Sequence, residues 1–222
     1  VIGHRGAVGY APENTLAAFV KGFELAAEWV ETDVRATKDG TYVLMHDATV
    51  DRTTNGTGHV AQMAIEEIKD LDAGSWFDVR FAGEQFLSLD EVLELIDDQL
   101  ELNVHLKPVG LATSFLVERS VKALARHGRL RTAYITCDET TLLMARALQP
   151  AIRASCLVPH PRNTAAAIDA ALAVGSCNMQ VGHRQIDEEF VRLAHSRSLP
   201  INAMYLGTRA DDLDEIRRLI SC

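Results

Sequence analysis

Seven short apolar runs, each leading into a helical pattern, constrain this 222-residue chain more than any other feature. They are Val1-Ile2-Gly3, Trp29 to Arg35, Leu102 to Lys107, Ala133 to Cys137, Ile152 to Val158, Cys177 to Val181 and Ile201 to Tyr205. Turn and cap residues mark the helices between them. Pro12-Glu13-Asn14-Thr15 opens the first, where apolar Leu16, Phe19, Phe23 and Ala26 predict one buried face. Ser88 and Glu91 form a capping box at the helix Leu89 to Ile96. A helix from about Ala112 to Arg126 stops at Gly128, Asp138 and Asp187 cap later ones, and another starts near Asn163 and stops at Gly175. A last helix is expected from about Asp211 to Ile220.

Strand-helix-strand units place their strands parallel. A chain built of little else either closes as a TIM-type (β/α) barrel or lies open as a doubly wound sheet, and periodicity does not separate the two. A closed barrel has eight strands. The chain reaches Ser221-Cys222 where an eighth would begin, so a fragment lacking the last strand is expected. The alternation is broken once, from Ala48 to Phe86, by a turn-rich loop, a short helix around Ile65 to Leu71 and Gly74-Ser75-Trp76-Phe77. Such an insertion lies outside a core, where it can cover a site. The expected organisation is one domain, 1–222, with an inserted subdomain at about 48–87, a size that suits a single core.

The net charge of −9 argues against a nucleic-acid partner held by its phosphates. Cys137, Cys156, Cys177 and Cys222 contain no CxxC pair, and the first three read as small apolar residues on buried strands. No run approaches the roughly 20 apolar residues of a membrane span. No basic-then-apolar leader precedes the first strand, which favours a cytoplasmic over an exported location, although the chain opens inside a strand. Oligomeric state is not written in the sequence.

Polar residues collect at the strand ends. Glu31 and Asp33, two apart, project to the same side of one strand. The Asp39-Gly40 turn and the run Tyr42 to Met45 then bring the chain back to His46. His4-Arg5 ends the first strand, and His105 and Lys107 share a face of another. In a parallel barrel these ends converge on one rim. The set suits phosphodiester cleavage. Two carboxylates offer a hard divalent cation oxygen ligands, Arg5 and Lys107 offer charge-assisted donors to a phosphate, and His4 and His46 supply an acid and a base in an order the sequence leaves open.

His4-Arg5-Gly6, Pro12-Glu13-Asn14-Thr15 with Ala18-Phe19, Glu31-Thr32-Asp33-Val34, Thr37-Lys38-Asp39-Gly40, His46-Asp47, Arg52-Thr53-Thr54 and Gly56-Thr57-Gly58 closely resemble the glycerophosphodiester phosphodiesterase family. The likeness continues through Leu71 to Phe77 and Leu89 to Leu93 and thins after residue 107. The resemblance implies a TIM-type barrel with an inserted subdomain after strand 2. It also implies metal-dependent hydrolysis of small glycerophosphodiesters to glycerol 3-phosphate and an alcohol. By matching position, His4 and His46 would be catalytic, Arg5 and Lys107 phosphate-contacting, and Glu31 and Asp33 metal ligands.

Three departures accompany it. His105 stands where the family has a glutamate two before the lysine, so it becomes the third metal ligand. Imidazole moves the expected metal from the family's Mg²⁺ or Ca²⁺ towards Mn²⁺, Co²⁺ or Zn²⁺. The late-strand tryptophan is replaced at or beside Met204, and the closing Thr-Asp-x-Pro strand is absent. Two other functions fit parts of the pattern. One is a lysophospholipase D or sphingomyelinase D-like lipid enzyme, favoured by an exposed apolar rim at Trp76, Phe77 and Phe81; the other is a noncatalytic phosphate-binding member.

Overall fold

Parallel strands buried on both faces draw on continuous apolar runs, and the computed structural model shows those runs as one sheet. It describes residues 1–96, 100–110, 112–204, 217–219 and 221. In order, the elements are β1 (Ile2–Gly3), α1 (Leu16–Glu24), β2 (Trp29–Ala36), β3 (Tyr42–Leu44), α2 (Ile65–Lys69), α3 (Leu89–Leu95) and β4 (Glu101–Leu106). There follow α4 (Ala112–Arg126), β5 (Ala133–Cys137), α5 (Glu139–Leu148), β6 (Arg153–Leu157), α6 (Thr164–Ala173), β7 (Asn178–Gly182), α7 (Glu188–Ser196) and β8 (Ile201–Met204). The caps at Ser88, Asp138, Asn163 and Asp187 each accept a backbone N–H of the first turn. The expected last helix lies mostly outside the described residues, and so does Cys222.

The strands are ordered β1-β2-β4-β5-β6-β7-β8, with β3 antiparallel on β2. A doubly wound sheet reverses its strand order at a switch point; this order never reverses. The sheet also curls. Asn103 Nδ2 on β4 donates to Gln180 Oε1 on β7 at 3.1 Å, although two strands separate them. On a flat sheet three spacings would hold them about 14 Å apart. Among the described residues the result is a curled sheet of seven parallel strands, the arrangement of an α/β barrel left open between β1 and β8. Among the described residues β1 and β8 do not pair, and both border a hollow of about 230 Å³.

The chain's alternation at β3 links two cores. Tyr42 and Leu44 face the barrel core, whereas Val43 and Met45 join Val50, Val60, Ile68, Ala73 and Phe86 in a smaller cluster under the inserted segment.

Two expectations are corrected. Helix α1 buries Ala18, Phe19 and Gly22, while Phe23 is 53 % exposed and Ala26 lies on the surface beyond the helix end. The helix seats its small residues against the sheet. A Cβ on Gly22 would stand 3.1 Å from Val30 Cγ1, and one on Gly6 (φ 86°) 2.6 Å from the Ala18 backbone. Close approach thus centres the buried stripe on Ala18, Phe19 and Gly22 and turns Phe23 outward. Cys137 and Cys156 are buried on strands, with thiols pushed up by burial to about 12 and about 11, but Cys177 is half-buried just before β7.

Candidate active site

The ends of β1, β2 and β4 bring six of the seven expected residues into one contact set around Asp33. Residues 31, 33 and 35 alternate to the same side of β2, and Asp33 pairs in register with His105 on β4. Asp33 is buried, with Lys107 Nζ 2.9 Å and His105 Nδ1 3.4 Å from Oδ1, and Arg5 Nε 3.2 Å from Oδ2. Glu31, also buried, lies 3.6 Å from His105 Nδ1 through Oε1; its Oε2 accepts the Arg5 backbone N–H at 2.9 Å and stands 3.9 Å from His4 Nε2. Lys107 Nζ lies 3.0 Å from His105 Nδ1.

The local backbone is shaped for this. Arg5 (φ 51°) and Asn14 (φ 58°) occupy the left-handed region, which an asparagine tolerates better than an arginine. Asn14 N donates to Arg5 O at 3.0 Å, and Asn14 Oδ1 accepts from Thr32 Oγ1 at 2.9 Å and from the Asp33 N–H at 3.2 Å. The turn therefore fixes Arg5 and Asp33 together. The electrostatics follow from burial and neighbours. Burial pushes the Asp33 carboxyl up, but His105, Lys107 and Arg5 outweigh it and hold it well below the usual range. Burial pushes His105 down, yet the adjacent Asp33 and Glu31 carboxylates raise it overall, whereas burial dominates at His4 and lowers it.

His46 stands apart from this contact set. Its Nδ1 lies 2.6 Å from Asp47 Oδ1, and its backbone carbonyl accepts from Arg35 Nε and Nη2 at 2.9 and 2.6 Å. Arg35 escaped the sequence reading, although the i, i+2, i+4 spacing from Glu31 was the signal for it. Glu13, Asp47 and Arg52 were visible only as motif letters; their contacts come from the fold. Beside Lys107 lies a hollow of about 150 Å³, lined also by Arg35, Ala48, Val60, Val109, Ala112 and Leu116.

The donors fit a divalent cation. One ligand atom each from Glu31, Asp33 and His105 lies within 4.8 Å of the others, the only such group among the described residues. Asp33 Oδ1 is buried with no donor in hydrogen-bond geometry, since the nearby ammonium makes an ion-pair contact without the alignment. A carboxylate oxygen so placed suits a cation.

Fold and site together define an α/β-barrel protein with a buried cluster of paired acids and bases at the C-terminal rim of its strands. The chain belongs to the glycerophosphoryl diester phosphodiesterase family, whose sequence profile matches residues 4–220. A glycerophosphodiester phosphodiesterase from Caldanaerobacter subterraneus is 47 % identical over 128 residues, 57 % of this chain and 53 % of the relative, so the match spans about half that protein's length. One from Bacillus subtilis is 29 % identical over 230 residues, 95 % of this chain and 77 % of the relative. A solved phosphodiesterase from Oleispira antarctica, in complex with the product sn-glycerol 3-phosphate, superposes with a TM-score of 0.91 at 28 % identity, covering 99 % of this chain and 88 % of that one. That structure therefore overlays nearly the whole of this chain.

Proposed function

We propose that the protein hydrolyses small glycerophosphodiesters to glycerol 3-phosphate and an alcohol. The observation that carries this is the pair of buried carboxylates facing Arg5, His105 and Lys107 in a member of this family, with His4 beside Glu31 and His46 held by Asp47. In this reading Arg5 and Lys107 hold the phosphate oxygens, and their charges stabilise the additional negative charge of the transition state. His46, whose Nδ1 is held by Asp47, presents Nε2 and gives its proton to the leaving alcohol, the carboxylate keeping the ring oriented. His4 takes the proton of the attacking water as the bond from phosphorus to the alcohol breaks; where the glycerol hydroxyl attacks instead, the cyclic phosphodiester it forms is opened by water in a second step to give glycerol 3-phosphate. The hollow beside Lys107 receives the alcohol. Residues 48–87 act as an inserted subdomain of a single 1–222 domain.

Glu31, Asp33 and His105 would hold a divalent cation, which supplies Lewis-acid stabilisation of phosphoryl charge. The imidazole favours Mn²⁺, Co²⁺ or Zn²⁺ over Mg²⁺ or Ca²⁺. The lipid reading needs an apolar rim. Trp76 is exposed and packs edge to face on Phe77, as Phe77 does on Phe81, with Arg52 over Trp76 at 5.9 Å; the 150 Å³ hollow, too small for an acyl chain, is what favours the small diester. The paired acids and histidines count against a noncatalytic member.

The test is release of glycerol 3-phosphate from glycerophosphoethanolamine by metal-stripped protein after addition of Mg²⁺, Ca²⁺, Mn²⁺, Co²⁺ or Zn²⁺, with His105→Glu in parallel. Turnover restored best by Mn²⁺, Co²⁺ or Zn²⁺, and shifted to Mg²⁺ or Ca²⁺ in the variant, supports the reading. A folded parent inactive with every metal sinks it.

A further inference from the structure

The inserted segment reaches the site through Arg52. Its Nη1 and Nη2 donate to Glu13 Oε2 and Oε1 at 2.9 and 2.8 Å, and its Nε donates to Asp47 Oδ2 at 2.6 Å. Beyond Glu13, Arg5 Nη1 donates to the same Oε1 at 2.9 Å. Beyond Asp47 lies His46 Nδ1. Arg5, Glu13, Arg52, Asp47 and His46 therefore form one unbroken line, joining the strand end that carries Arg5 to the hairpin end that carries His46.

The chemistry of each link is matched to its place. A planar guanidinium offers five donors in a rigid fork and can fix two carboxylates relative to each other, which an ammonium cannot. Glu13 is only 5 % exposed; burial pushes its carboxyl up, but the bonds from Arg52 and the charge of Arg5 hold it below the usual range. It remains an anion between two cations. Asp47 is held down to about 2, chiefly by the hydrogen bond from Arg52. As a carboxylate it accepts the Nδ1 proton of His46 and leaves Nε2 facing outward for proton exchange. Arg35, gripping the His46 carbonyl, fixes the backbone and leaves the ring plane to Asp47.

We propose that Arg52 is a positioning residue that sets the tautomer and ring plane of His46 through Asp47 and the guanidinium of Arg5 through Glu13. Docking of the inserted segment thus completes the two ends of the site together. This rests on the roles given above to His46 and Arg5, yet its first readout needs no turnover. In protein labelled with ¹⁵N-histidine, the His46 nitrogens report the tautomer directly. In the parent, above the imidazole titration, Nδ1 is protonated and Nε2 bare. Arg52→Gln and Asp47→Asn both mix the tautomers, while Arg80→Gln, which removes an arginine paired with Asp78 on the surface of the same segment, leaves them unchanged.

A second readout separates the two arms. Arg52→Gln lowers kcat about 10- to 100-fold, the scale of a displaced catalytic group, and weakens binding of inorganic phosphate. Asp47→Asn lowers kcat alone, and Glu13→Gln weakens phosphate alone. The Arg52→Gln/Asp47→Asn double variant loses no more kcat than the worse single one, as expected for residues acting in series. Arg52 is partly exposed, so Arg52→Lys keeps charge and fold while removing the fork, and it behaves as Arg52→Gln does. Unchanged His46 nitrogens in Arg52→Gln, multiplying losses in the double variant, or parent-like behaviour of Arg52→Lys would each overturn the proposal. If the parent itself fails to turn over, the assigned activity fails, and the His46 spectra and phosphate titrations still decide the role of Arg52.

Discussion

The ammonium of Lys107 and the carboxylate of Asp33 stand 2.9 Å apart, in a site where His105 and Arg5 press on the same carboxylate. Any cation bound by Asp33 shares it with Lys107. Lys107→Met should therefore move two affinities in opposite directions. Inorganic phosphate binds about 10- to 100-fold more weakly, since a charge-assisted hydrogen bond contributes about 1.5–3 kcal/mol. Mn²⁺ binds more tightly, because a competitor for Asp33 is gone. Titration calorimetry of both ligands on one variant checks this, and a loss of both affinities contradicts it.

The approach of α1 to the first strand turn depends on a missing side chain. Gly6→Ala places a Cβ 2.6 Å from the Ala18 backbone at a positive φ, which should destabilise the fold by about 2 kcal/mol or more. Because Gly6 follows Arg5, kcat/KM should fall further than the folded fraction does. Denaturant unfolding beside kinetics on the folded protein would show whether activity and stability part in this way.

Acid stability should report the bonds of Arg52. A carboxyl whose pKa falls on folding contributes stability that is full above its unfolded value of about 4 and lost as pH drops through the folded value. Asp47, held down to about 2, and Glu13, also lowered, are both of this kind. Arg52→Gln returns both towards ordinary values. The fall in melting temperature between pH 5 and pH 2.5 in metal-free buffer should be smaller in the variant than in the parent; equal falls would speak against it.

Substrate choice should follow the hollow beside Lys107. Among the described residues its lining holds Arg35, Lys107 and His59 but no carboxylate, and the rest is apolar. A cationic head group has no partner there. Glycerophosphoglycerol should give a higher kcat/KM than glycerophosphocholine, and Ala112→Phe, which fills the space, should raise KM for both. A preference for the choline diester would place the alcohol elsewhere.

The elements were legible where local chemistry decides them. Ser88 with Glu91, Asp138 and Asp187 cap helices because a side-chain oxygen satisfies a nearby N–H, a relation contained within four residues. The period of two put Glu31 beside Asp33 and His105 beside Lys107, and the structure brings the pairs together. What stayed hidden depends on contacts between distant segments. Glu13 and Arg52 are 39 residues apart, and nothing in either neighbourhood announces the other. The buried face of α1 was misread for the same reason. Phe23 looks like a core residue by hydropathy, but the close contact at Gly22 and Ala18 turns it outward.

Every side chain placed in the site, from His4 to Lys107, comes from β1, β2, β4 and the segments between them, while β5 to β8 answer with a packed sheet and a layer of amides and hydroxyls at Asn103, Thr136, Gln180 and Asn202. The two halves of the chain therefore face different selective demands. Substitution in the first is filtered by chemistry; in the second, Gln180, Asn202, Ala203 and Met204 share a hollow with His4 and Glu31, and the remainder is filtered by volume and hydrogen bonding. Such a protein can diverge widely through its later strands while its reaction stays the same, and a change of reaction would be written first within those hundred or so residues.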